Sequence, residues 1–81
     1  MANLVDGEWT VIGSGLIKSA MYDRVRGTLT LYLKTGHIYD YLMIPEAIAS
    51  GLASAEDPEE YFQKSIANHF DYRIMSQTHR W

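Results

Sequence analysis

Between Leu29 and Pro45 the chain reads LTLYLKTGHIYDYLMIP: an alternating apolar strand, a glycine turn, a second strand and a proline stop. Leu29, Leu31 and Leu33 fall on one face of the first strand, with Thr28, Thr30 and Tyr32 on the other. That period of two marks a half-buried strand. The segment therefore predicts a β-hairpin that passes directly into a helix, because proline disfavours helical geometry just before itself and suits the first helical position.

The turn decides the register, and a slip of one residue turns every side chain over. With Thr35-Gly36 as a two-residue loop, Leu33 faces Ile38 and the leucine face meets Asp40. With Lys34-Thr35-Gly36 as a three-residue loop and Gly36 left-handed, Leu33 faces His37, Leu31 pairs with Tyr39 and Leu29 with Tyr41. Asp40 then points outward. Burying an unpaired carboxylate costs several kcal/mol, so the second register is expected, with Tyr39 and Tyr41 on the core face.

On either side the signals are shorter. Trp9 to Ile12 is a candidate strand closed by Gly13-Ser14-Gly15, and residues 1–8 read as a mobile lead-in. Leu16 to Tyr22 is extended, with Ile17 and Met21 expected on one face, and Asp23 to Gly27 forms a polar turn. Ile44, Ile48 and Leu52 make an apolar stripe on a helix from about 45 to 53, which Gly51 weakens by roughly 1 kcal/mol relative to alanine. Asp57-Pro58-Glu59-Glu60 opens a second helix with a cap acid, a proline at its first position and an acidic first turn. Phe62, Ile66 and Phe70 line one side of it. The tail beyond Asp71 docks either as an edge strand or as a short helix, with a mobile polar end. The expected architecture is α+β: a three- to four-stranded antiparallel meander with two short helices packed on one face. The divisions are a lead-in over 1–13, a domain over 14–72 and a tail over 73–81.

At 81 residues the chain is one small domain, and such a domain buries only about 60–65% of its unfolded surface. With 47% hydrophobic residues it nonetheless has material for a core. It has no cysteine, which removes disulfides, thiolate metal sites and cysteine nucleophiles. His37, His69 and His79 lack metal-ligand spacing, so neither metal nor cofactor is expected. Gly13-Ser14-Gly15 lacks the lysine and helix of a phosphate loop and reads as a turn. Glu59 and Glu60 cap a helix and are not placed for acid-base work. No enzymatic activity is expected. No apolar run approaches the roughly 20 residues of a membrane span, and the N-terminus has no signal-peptide pattern, so a cytoplasmic protein is expected.

The net charge of −3 is unevenly spread: residues 24–44 carry +2, residues 45–62 carry −5 and residues 63–81 carry +2. Two contact surfaces follow. Tyr32 and Ile38, opposite one another on the outer face, with Leu42 further along, make an apolar patch for a protein partner or a second copy, unless Trp9 or the tail covers it. Glu59 and Glu60 add an acidic contact. Arg24, Arg26, Lys34 and Arg73, joined by Arg80, are the candidate phosphate contacts, giving weak and salt-sensitive binding.

Ser14-Gly15-Leu16-Ile17, Met21-Tyr22-Asp23, the strand Leu29-Leu31-Leu33, Gly36, Tyr39-x-Tyr41, Ile44-Pro45 and Tyr61-Phe62 with Ile66 follow one another in an order that resembles the KTSC domain. That small module is named for its place at the C-terminus of some lysyl-tRNA synthetases and also occurs as stand-alone bacterial and phage proteins. The resemblance spans roughly residues 14–72. It implies that Tyr39, Tyr41, Pro45, Tyr61 and Phe62 are motif residues, here expected in the core, and that RNA or tRNA is a candidate partner. This chain departs from the pattern at Gly15, where a second serine is usual. Leu33 takes an aromatic's place, Asp57 and Glu59 replace a serine and a glycine, and Ala67-Asn68-His69-Phe70 replaces a segment often rich in basic residues.

Overall fold

A computed structural model describes residues 7–76. The lead-in residues 1–6 and the tail residues 77–81, with His79, Arg80 and Trp81, lie outside the described residues. Five antiparallel strands form one sheet in sequence order: β1 (Thr10–Val11), β2 (Ile17–Asp23), β3 (Thr28–Leu33), β4 (Ile38–Tyr41) and β5 (Tyr72–Ser76). Helices α1 (Glu46–Ser54) and α2 (Pro58–Ser65) lie between β4 and β5 in the chain. The fold is the α+β meander expected, with one correction. The sheet has five strands rather than three or four, because β1 adds one edge and β5 returns after the helices to pair with β4.

The hairpin takes the three-residue-loop register. Leu29 pairs with Tyr41, Leu31 with Tyr39 and Tyr32 with Ile38, while Asp40 faces Thr30. Gly36 has φ of 97°, and the Leu33 amide donates to the His37 carbonyl at 3.0 Å. The outward Asp40 carboxylate accepts a 2.6 Å hydrogen bond from the Thr30 hydroxyl, so its charge is met at the surface.

In β2 the alternation breaks. Ile17 pairs with Leu33 but Ser19 with Tyr32, so Lys18 is the extra residue of a bulge. Ile17, Ala20 and Tyr22 therefore share the buried face, and Met21 does not join Ile17 there as its spacing suggested. Ser14 sets the entry to this strand: its hydroxyl oxygen accepts from the Ile17 amide at 3.0 Å, the turn role expected of Gly13-Ser14-Gly15.

The core lies between the sheet and the helices. Ile17, Ala20, Leu29 and Leu31 are fully buried against Ile44, Ala49, Leu52, Phe62 and Ile66. The Tyr22 hydroxyl donates to the Ile44 carbonyl, tying β2 to the start of α1. Asp57 caps α2 as its sequence predicts, accepting from the Glu60 amide at 3.2 Å. Gly51 sits where α2 crosses α1. A side chain there would overlap the ring of Tyr61, whose hydroxyl donates to the Ile48 carbonyl at 3.0 Å. Its helix-weakening effect is the consequence of a close crossing.

Candidate functional site

Three of the motif residues of the hairpin and α2 converge on the helix-covered side of the sheet. Tyr41 is 4% exposed, and its ring meets Phe62 edge-on at 5.5 Å. Tyr39 lies one pleat nearer the turn, partly buried against the core. Tyr72 of β5 stacks on both, at 5.2 Å from Tyr39 and 5.3 Å from Tyr41. Cross-strand placement explains the cluster: Tyr72 stands opposite Tyr41, and Ile74 opposite Tyr39. Of the other motif residues, Phe62 is buried, Tyr61 is half-buried across α1, and Pro45 is exposed at the start of α1. The expectation of a core position therefore fails for Pro45. Its ring serves the backbone turn, and the preceding Ile44 supplies the buried side chain.

Beside the tyrosines an apolar groove of about 440 Å³ opens between the hairpin end of the sheet and the C-terminal part of α2. Leu16, Leu31, Leu33, Tyr39, Tyr41, Phe62 and Ala67 form its walls, with Thr35 and His37 at the turn. That volume is in the range of ligand pockets. The Thr35 hydroxyl and His37 Nδ1 are 2.9 Å apart, so the polar groups at this end satisfy one another.

Burial pushes the Tyr41 hydroxyl up to about 12, with the neighbouring Tyr72 and Tyr39 adding to the shift. A tyrosine keeps its proton below its pKa. Between the unfolded value near 10 and about 12, the folded state therefore holds a proton that the unfolded chain has released. Stability is expected to be unaffected by this group below pH 10 and to fall from there to about 12. Denaturant titrations across that range check this, and Tyr41→Phe should remove the part of the dependence that this hydroxyl contributes.

The other candidates are dispersed. On the open face Tyr32 and Ile38 are adjacent, as expected, but Trp9 approaches Tyr32 edge-on at 6.2 Å and Lys18 Nζ lies 5.2 Å from the same ring. Asp40 and Arg73, opposite one another, stand between Ile38 and Leu42. The patch is thus partly covered and interrupted by charge. Arg24 lies 3.8 Å from Glu46, and Arg26 lies 3.7 Å from Asp23. Lys34 sits in the turn at the opposite end of β3, and Arg73 on β5. The four cations are spread over both ends of β3 and the edge strand β5, and two of them, Arg24 and Arg26, face carboxylates. Glu60 pairs with Lys64 at 2.9 Å, and that hydrogen bond, followed by the charge itself, raises the pKa of the exposed Lys64. Among the described residues no group of three His, Asp or Glu could hold a metal ion. No helix among them is long and apolar enough to cross a membrane.

Sequence reasoning missed Tyr72, Leu16, His37 and Ala67 as parts of one site. The only available signal was Tyr72-Arg73-Ile74, apolar on one face and charged on the other, too short to stand out.

The described residues thus form one antiparallel sheet covered by two helices, with a tyrosine-lined apolar groove between the layers. The chain belongs to the KTSC domain family, whose pattern matches residues 13–70. A lysine-tRNA ligase from Nostoc sp. is 35% identical over 60 residues, which are 74% of this chain and 11% of that protein. A lysine-tRNA ligase from Trichormus variabilis is 32% identical over 60 residues, with the same coverage. The chain thus spans about a tenth of the length of these relatives. The crystal structure of a KTSC domain protein from Yersinia pestis superposes with a TM-score of 0.81 at 25% identity, covering 85% of this chain and 97% of that one.

Proposed function

We propose that this chain is a non-enzymatic, cytoplasmic binding module that holds a protein segment in the groove beside Tyr39 and Tyr41. The observation that supports this reading most is the groove itself, an apolar concavity of about 440 Å³. Contiguous apolar surface on a small domain marks contact. The reading moves the protein contact from the open face, where Tyr32, Ile38 and Leu42 were expected to act, to the helix-covered side.

A second reading, weak binding of RNA or tRNA through Arg24, Arg26, Lys34 and Arg73, draws its support from the lysine-tRNA ligases that carry a similar segment. The scattered, carboxylate-facing cations favour it less. Peptides selected on the parent protein from a displayed random library test the first reading. Ala67→Arg, which fills the groove, is expected to weaken their binding at least tenfold, whereas Arg24→Ala with Arg26→Ala should leave it within twofold. The reverse pattern, or tRNA binding that collapses as salt rises, would favour the nucleic-acid reading.

A further inference from the structure

Glu59 stands on α2 one helical turn before Phe62, a wall of the groove. Its carboxylate rests against Gly15, where a methyl group would fall 2.8 Å from Oε1. Gly15 adjoins Leu16, and Leu16 and Phe62 are both walls of the groove. Among the described residues Glu59 has no cationic partner, whereas neighbouring Glu60 is taken by Lys64. At the hairpin turn Thr35 and His37, also on the groove, bond to one another. The groove walls are thus mainly apolar, with the Glu59 carboxylate close by where Gly15 adjoins Leu16.

Resting on the reading of the groove as a protein-binding site, we propose that its occupant is an extended peptide segment in which a leucine or aromatic side chain lies within two residues of a lysine or arginine. The apolar side chain fills the space against Phe62 and Tyr39, and the cation meets Glu59 at the rim. A charge at an interface rim contributes mainly to selection among partners.

Selection from a displayed random heptapeptide library, run in parallel on the parent, Glu59→Gln and Glu59→Lys proteins, tests this. The parent should enrich leucine or aromatic residues coupled to lysine or arginine. Glu59→Gln should bind the same synthetic peptides about threefold more weakly, as loss of an exposed ion pair predicts, and Glu59→Lys should enrich aspartate or glutamate in place of the base. Enrichment of apolar residues with no charge preference, or a preference unchanged in Glu59→Lys, would overturn the proposed occupant while leaving the groove as a binding site. Enrichment of peptides that still bind Ala67→Arg would overturn both.

Discussion

Tyr41→Ala is expected to lose about 3 to 4 kcal/mol of stability, the cost of truncating a buried aromatic. Its ring is held on three sides, edge-on by Phe62 and in stacks by Tyr39 and Tyr72. Removing it strips these ring contacts from α2 and two strands, on the sides of the ring that do not border the groove. Domains of this size are stable by roughly 4 to 12 kcal/mol, from typical per-residue values, so the variant should sit near its unfolding midpoint or well toward it. A fall in melting temperature of about 15 to 25 °C by circular dichroism is the expected reading. Tyr41→Phe keeps the ring contacts and should retain most of the stability. A Tyr41→Ala protein as stable as its parent would mean that the ring is displayed rather than packed.

Leu29→Ala and Leu31→Ala should separate, although both leucines are fully buried on the same strand. Leu29 lies between Tyr22 and Tyr41 in the sheet, away from the groove. Its removal leaves an enclosed cavity, expected to cost about 4 kcal/mol. Leu31 already lines the groove. The space it vacates joins an open concavity that water and neighbouring side chains can enter, so the cost should be about 2 to 3 kcal/mol. Urea titrations of the pair measure the difference. Equal costs would argue that the groove is closed in solution.

Much of this fold is written in local chemistry. Gly36 permits the left-handed turn, and the cost of burying Asp40 excludes the competing register, so the hairpin pairing can be read before any coordinates. Asp57-Pro58 likewise states where α2 begins. The bulge at Lys18 has no such marker: one extra residue shifts the alternation, and Ile17 and Met21 part company. The role of Gly51 is invisible along the chain, because only the crossing of α1 by Tyr61 requires it. β5 is half legible, as one of two alternatives for the tail, since its partner β4 lies beyond two helices and pairing so distant leaves no periodic trace in five residues. The groove is a gap between layers, set by where Phe62 and Ala67 end up relative to the hairpin. Sequence could nominate Tyr39 and Tyr41 but could not show that they border open space, nor that Tyr72 joins them.

The central claim is that binding occurs beside the tyrosines on the helix-covered side. Residue-resolved ¹⁵N–¹H spectra of the protein, titrated separately with a library-selected peptide and with tRNA at about 0.15 M salt, test it most directly. The expected result is that the peptide moves the amides of Leu16, Leu33, His37, Tyr39 and Phe62 while tRNA leaves the spectrum unchanged. Shifts gathered instead at Arg24, Arg26, Lys34 and Arg73 with tRNA, or at Tyr32 and Ile38 with the peptide, would contradict it.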